Sequence, residues 1–139
     1  MFVLDTDTLT HLYAGHPRVV GNLRQTDDPD VVTSIVTKIE ILRGRIDFVL
    51  KAERGAEILR AQQLLATTED LLAQIHVVPF DVTAGMHFDR LRSQSSLRKI
   101  GRADLLIASI CLAHRAVLVT RNERHFQKFP GLRVVNWVD

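Results

Sequence analysis

Short apolar runs alternate along the chain with longer segments of helical periodicity. Five runs rich in β-branched residues predict strands at residues 2–4, 31–34, 75–78, 116–119 and 133–135. The intervening segments predict helices at residues 6–14, 18–25, 36–46, 82–91 and 102–115, with one long helix beginning near Lys51. Such alternation is typical of a parallel sheet with helices on both faces. We therefore expect an α/β fold with a central, mostly parallel five-stranded sheet.

The long helix carries an apolar stripe whose members are three and four residues apart. They are Ile58, Ala61, Leu65, Thr68, Leu72 and Ile75. Such a stripe packs against a core or against a partner helix, so it offers a surface for a homodimer. No repeat, low-complexity segment or linker divides the chain, and we expect residues 1–139 to form a single domain.

Composition narrows the class of protein. The chain has 139 residues, of which 46% are hydrophobic and 24% charged, as expected for one globular domain. A single cysteine, Cys111, excludes thiolate metal clusters and an intramolecular disulfide, which favours a reducing cytoplasm. The N-terminal apolar run ends at Asp5, and residues 105–113 are about half of the ~20 residues that span a bilayer. We expect a cytoplasmic protein with no membrane partner.

The net charge of +2 conceals an uneven distribution. Residues 1–40 carry three basic and six acidic side chains, whereas residues 90–102 carry five basic and no acidic ones. This basic block is either a solvated helix face or a surface for an anionic partner such as a nucleic-acid backbone.

Acidic and polar side chains stand where strands end. Asp5 directly follows the first strand and Thr120 the fourth, and ligands of open α/β sheets bind beyond the carboxyl ends of the strands. Asp5 would equally serve as the N-cap of the helix that begins at Thr6. Asp104 heads an otherwise apolar helix face, where an unpaired buried charge costs several kcal/mol. Asp104 therefore needs a cation, hydrogen bonds or a wet cleft.

Glu40 lies near the start of the helix after the second strand, where an ion pair with Arg43 would satisfy it without a ligand. If Asp5, Glu40 and Asp104 instead converge, carboxylates ~4 Å apart repel by about 4 kcal/mol at an effective dielectric of about 20. A divalent cation would cancel that repulsion, and oxygen-only ligands select Mg²⁺ or Mn²⁺ over zinc. Such an ion suits the hydrolysis of phosphodiester bonds. His125 is the histidine nearest to this site, but we expect it to take part in polar packing at the surface.

Five segments, in this order, resemble those of the PIN-domain ribonucleases, specifically the VapC-type toxins of prokaryotic toxin-antitoxin pairs. They are FVLDTDTL at residues 2–9, TSIVTKIEILRG at 33–44, IGRADLLIA at 100–108, TRNERHF at 120–126 and PGLRVVNW at 130–137. Each is unspecific alone, but together they cover the chain from end to end. The resemblance implies a PIN-like fold for the single domain at residues 1–139.

The same resemblance implies a Mg²⁺- or Mn²⁺-dependent endoribonuclease that cleaves RNA, often transfer RNA. It also implies a homodimer and a small cognate antitoxin whose C-terminal segment enters the cleft. The implied catalytic and metal-binding residues are Asp5, Glu40 and Asp104. We expect Thr120 and Asn122 to orient water or ligand, and Arg102 and Arg43, with the basic block, to guide the RNA.

Two positions depart from the family pattern. Asp7 stands where the family often has Asn, and Asn122 stands where many relatives carry a fourth acid. We therefore expect three strong carboxylates. Because Asn122 would hold a metal ion more weakly than an acid at that position, a PIN domain that only binds RNA or protein stays open as an alternative.

Two other enzyme or signalling classes use acids after a first strand. A haloacid-dehalogenase-type phosphatase would use Asp5 and Asp7 with Thr120, but its further acid should follow the Thr, whereas Asp104 precedes it. A response-regulator receiver domain would use Asp81 as phosphoacceptor and would leave Glu40 and Asp104 unexplained.

Overall fold

The central sheet has five strands that all run parallel, in the order β3-β2-β1-β4-β5. The computed structural model describes residues 1–139. The strands are β1 (Phe2–Leu4), β2 (Val31–Ser34), β3 (Val77–Val78), β4 (Val117–Val119) and β5 (Arg133–Val135). All five predicted strands are confirmed, although β3 is two residues shorter than the predicted run at 75–78.

Seven α-helices and one short 3₁₀ helix connect the strands. The helices are α1 (Thr6–Tyr13), α2 (Pro17–Gln25), α3 (Ile35–Lys51), α4 (Gly55–Ala73), α5 (Val82–Arg92), α6 (Arg102–Ala113) and α7 (Glu123–Phe126), and the 3₁₀ helix spans Ser95–Leu97. The predicted end of α3 at residue 46 is wrong, because residues 46–51 contain neither Gly nor Pro and the helix continues. The long helix consequently begins at Gly55 and not near Lys51, since Ala52 is extended.

Helices cover both faces of the sheet, as the sequence predicts. Successive residues of a strand point to opposite faces, so Val3 and Leu118 lie in one buried cluster, while Leu4 and Val119 lie in the other. The first cluster takes side chains from α5 and α6, including Leu91 and Ile107. The second takes Leu9, Val19 and Leu72 from α1, α2 and α4.

The apolar stripe of α4 is used mainly inside the protomer. Ala61, Thr68 and Leu72 are buried, because α4 packs along α3. Across this contact, Nε of Arg45 donates to Oγ1 of Thr68 at 3.2 Å. The buried members of the stripe therefore belong to the core, which is one of the two expected alternatives, and homodimerisation stays a prediction. None of the helices is both long and apolar enough to cross a bilayer.

The order of the strands places a crevice beside β1. The chain adds β2 and β3 on one side of β1 and then β4 and β5 on the other, so the order reverses between β1 and β4. Ligands of open α/β sheets bind at such a point, beyond the carboxyl ends of the strands. Asp5 follows β1 there, and its backbone N–H donates to the carbonyl of Val119 at 3.1 Å. The hydroxyl of Thr8 donates to the same carbonyl at 3.1 Å.

Candidate active site

Asp5 both caps α1 and faces the crevice. Its Oδ1 accepts from the backbone N–H of Thr8 at 2.8 Å, which confirms the predicted N-cap. Burial raises the pKa of Asp5, and the charge of Asp7 adds to this effect, while hydrogen bonds from Thr120 and Thr8 oppose it. The ionised carboxylate is therefore held at an energetic cost, which a bound cation would reduce.

Glu40 is tied to the end of β1 through a hydroxyl group. Thr6, the residue after Asp5, donates from Oγ1 to Oε1 of Glu40 at 2.6 Å. The start of α3 is set by Ser34, whose Oγ accepts from the backbone N–H of Thr37 at 3.2 Å. Arg43 forms no ion pair, so the alternative in which it neutralises Glu40 is wrong. The Glu40 carboxylate is thus held beside the first strand and lacks a cationic partner.

Asp104 lies in the first turn of α6 and contacts a histidine from α7. Its Oδ2 is 2.8 Å from Nε2 of His125. This is a close polar contact and not a well-aligned hydrogen bond, because Nε2 has no partner of suitable geometry. This polar contact between two partly exposed side chains agrees with the polar surface packing expected for His125. The sequence signal for this contact was the position of His125 in the segment that follows β4.

Cys111 shows which way this face of α6 is directed. It lies seven residues after Asp104, on the same side of the helix. Burial, followed by the charge of Asp5, raises the pKa of its thiol to about 12. Cys111 lies in the same buried cluster as Val3 of β1, so the face of α6 that Asp104 heads is turned toward the sheet.

Thr120 acts on Asp5 from inside the protein. Its side chain is fully buried, its hydroxyl is a hydrogen-bond partner that lowers the pKa of Asp5, and its Oγ1 accepts from the backbone N–H of Asn122 at 3.0 Å. A fully buried side chain cannot touch RNA, so we reassign Thr120 from substrate binding to positioning Asp5. The side chain of Asn122 is exposed, and it does not cap α7.

A groove of about 400 Å³ between α3 and α6 brings Glu40 together with both predicted arginines. It is lined by Glu40, Arg43 and Arg102 over an apolar surface that includes Ile39 and Leu106. Neither arginine has a carboxylate partner. We call it the α3–α6 groove. Its two free guanidinium groups can bind phosphate beside the acidic site.

The donor chemistry of the three carboxylates fits a hard divalent cation, since Mg²⁺ and Mn²⁺ prefer oxygen ligands. In the present conformations no three Asp, Glu, His or Cys side chains lie close enough to hold one ion. Glu40 is bound by Thr6 and Asp104 contacts His125. These two side chains would have to turn, or act through water molecules, to bind an ion together with Asp5.

Comparison with known proteins finds ribonucleases that match almost the whole chain. The chain is 25% identical over 138 residues to the tRNA(fMet)-specific endonuclease VapC of Salmonella typhimurium, covering 98% of this chain and 97% of that protein. It is 27% identical over 142 residues to the Ribonuclease VapC2 of Rickettsia felis, covering 99% and 98%.

A solved complex of VapBC2 from Rickettsia felis, bound to a DNA fragment from its promoter, has a similar fold. The TM-score is 0.74 at 26% identity, and the alignment covers 98% of each chain. The PIN domain itself matches residues 2–132. This match overturns the haloacid-dehalogenase and receiver-domain alternatives. With almost the whole chain inside the match, this protein belongs to the PIN-domain family of metal-dependent nucleases.

Proposed function

We propose that this protein is a VapC-type endoribonuclease toxin that hydrolyses RNA, with transfer RNA as the expected substrate. The observation that carries the proposal is the juxtaposition of Asp5 with the buried Thr120 at the sheet's reversal point, with Glu40 and Asp104 brought to the same edge. The names of the relatives support the reaction class. Two unpaired arginines in the α3–α6 groove supply the positive charge that an RNA backbone requires.

The proposed reaction assigns a task to each side chain. Asp5, Glu40 and Asp104 would hold Mg²⁺ or Mn²⁺, which when bound neutralises phosphate oxygens and lowers the pKa of water. Thr120 orients Asp5 by a hydrogen bond, which lowers the pKa of Asp5 and so opposes the effect of burial. Arg43 and Arg102 hold the negatively charged backbone next to the carboxylates, which would otherwise repel it.

We further propose a small antitoxin as the protein partner. The similar solved structures are VapBC toxin-antitoxin complexes, some with DNA bound. The α3–α6 groove has apolar walls that include Ile39 and Leu106, so a partner segment with apolar side chains would fit it. The cytoplasmic location, like the homodimer, stays a prediction from the sequence.

The test is cleavage of a transfer RNA mixture by the purified chain with Mg²⁺, Mn²⁺ or EDTA. We expect cleavage with either ion and none with EDTA. Asp5→Asn, Glu40→Gln and Asp104→Asn should each abolish cleavage, whereas Asp27→Asn, an exposed acid away from the site, should not. Full activity in a folded Asp5→Asn or Asp104→Asn variant would refute the assignment. RNA binding without cleavage under every condition would favour the alternative of a PIN domain that acts as a binding module.

A further inference from the structure

A second pocket lies on the other side of Arg102 from the α3–α6 groove. It has a volume of about 240 Å³ and is formed by α5, the 3₁₀ helix and the start of α6. Its floor includes the apolar side chains of Phe88, Leu97 and Ile100, and its rim carries the exposed arginines Arg92, Arg98 and Arg102. We call it the arginine pocket.

The charges of the arginine pocket are unbalanced within the protein. None of its three guanidinium groups forms an ion pair with a carboxylate. Cζ of Arg102 instead lies 5.8 Å from the centroid of the Phe88 ring, in a cation–π contact. Three like charges around one small pocket repel each other, and a bound anion would relieve that repulsion. The basic block predicted from the sequence thus has a defined concave surface at its centre.

The ligand of the arginine pocket must be an anion, and the apolar floor of the pocket adds a second requirement. A free phosphate would satisfy the arginines but would leave the apolar floor exposed to water. An acidic peptide would satisfy both requirements only where an apolar side chain stands beside its carboxylates, whereas every nucleotide carries both groups. Proteins that bind single-stranded nucleic acid combine basic grooves with aromatic and arginine surfaces on which bases stack. A nucleotide, with a planar base and a phosphate, meets both requirements.

We propose that the arginine pocket binds a nucleotide of single-stranded RNA that flanks the cleavage site, with the base on the apolar floor and its phosphate between Arg92 and Arg98. The inference rests on the proposed ribonuclease function. Arg102 lines both the arginine pocket and the α3–α6 groove that contains Glu40, so a strand that crosses Arg102 contacts both. The pocket would therefore contribute to substrate selection outside the reacting phosphate.

The first test measures binding of a short oligouridylate by the full chain in EDTA, where no cleavage occurs. The double variant Arg92→Gln/Arg98→Gln should bind roughly tenfold more weakly, because each arginine donates a charge-assisted hydrogen bond. The slope of log affinity against log salt should fall by about 0.7, because the two arginines contact one phosphate. Arg24→Gln/Arg54→Gln removes the same charge from exposed, unpaired arginines on α2 and before α4, and should change affinity much less.

The second test separates a base pocket from a phosphate site. Phe88→Leu keeps an apolar floor but removes the ring, so it should weaken binding of the oligouridylate. Binding of an abasic ribose-phosphate chain of the same length should be unchanged. Thermal unfolding of each variant checks that the fold is retained, and the arginine variants carry the test if Phe88→Leu does not fold.

Three outcomes would overturn the proposal while leaving the proposed function intact. The wild type would cleave RNA, but Arg92→Gln/Arg98→Gln would bind no worse than the control variant. Alternatively, Phe88→Leu would weaken the binding of the oligouridylate and of the abasic chain equally, which would indicate a phosphate site only. Finally, the arginine variant would bind an acidic peptide more weakly but would bind RNA as well as the wild type does. This result would indicate protein docking. A wild type that neither binds nor cleaves RNA would instead refute the proposed function.

Discussion

Nε2 of His125 lies 2.8 Å from Oδ2 of Asp104, across the junction of α7 and α6. The imidazole packs edge-on against the buried ring of Phe126, with ring centroids 5.2 Å apart, and this contact restricts its orientation. We therefore expect His125 to orient the Asp104 carboxylate during the reaction. Groups that orient metal-binding side chains are typically worth a factor of about 10 to 100 in metal affinity or activity.

We predict that His125→Ala lowers metal-dependent RNA cleavage by at least about tenfold. Its free energy of unfolding should change by less than about 1 kcal/mol, because the ring is partly exposed. The matched control is His114→Ala, an exposed histidine just after α6, which should retain activity. Equal activity of the two variants would mean that the contact with Asp104 has no role in the reaction.

A second prediction concerns the stability of the protein as a function of pH. Burial raises the pKa of Asp5 above 3.8, so the folded state holds this proton more tightly than the unfolded chain does. The contribution of Asp5 to the free energy of unfolding therefore falls as pH rises from the ordinary pKa through the raised one. Asp5→Asn removes this loss and keeps the N-cap, since Asn caps as well as Asp.

We thus expect Asp5→Asn to be at least as stable as the wild type at neutral pH, with a flatter pH dependence in that window. Thermal unfolding of both proteins, measured from acidic to neutral pH, checks this prediction. Asp81→Asn is the matched control, because Asp81 caps α5 with the same 2.8 Å bond but is exposed. Clear destabilisation of Asp5→Asn at neutral pH would show that the carboxylate contributes more than a cap.

Divalent cations should stabilise the folded protein. A ligand that binds only the folded state at about 100 times its dissociation constant adds about 2.7 kcal/mol to the free energy of unfolding. We expect Mg²⁺ or Mn²⁺ to raise the Tm of the wild type and of Asp27→Asn, but not of Asp5→Asn or Asp104→Asn. Equal shifts in all four proteins would place the binding of the ion elsewhere.

The hydrogen bond between Thr6 and Glu40 provides a further prediction. Thr6→Val has nearly the same shape but removes the hydroxyl that donates to Glu40 at 2.6 Å. A hydrogen bond to a charged group contributes about 1.5–3 kcal/mol, so we expect roughly a tenfold or larger fall in kcat. Thr6→Ser should restore most of the activity. Thr10→Val removes a hydroxyl bonded only to the Thr6 carbonyl and should have little effect.

Much of the fold follows from local sequence pattern. The β-branched runs and the helical spacing between them predict all five strands and six of the seven α-helices. This is possible because the spacing of apolar residues within each segment indicates whether it is a strand or a helix. The position of Asp5 after β1 and its N-cap also follow locally, since both depend only on neighbouring residues. The short α7 escapes prediction, because four residues are too few to show a period.

The contacts that build the site depend on tertiary structure. Asp104 and His125 are 21 positions apart, and Thr6 and Glu40 are 34 apart, so no local pattern relates them. Likewise, the stripe on α4 shows only that a partner exists, and packing decided that α3 is that partner. The sequence by itself determined the residue types at the strand ends and hence the acidic, oxygen-rich chemistry. Only the tertiary structure determines which hydroxyl or imidazole contacts each carboxylate, because the order of the strands sets which segments meet.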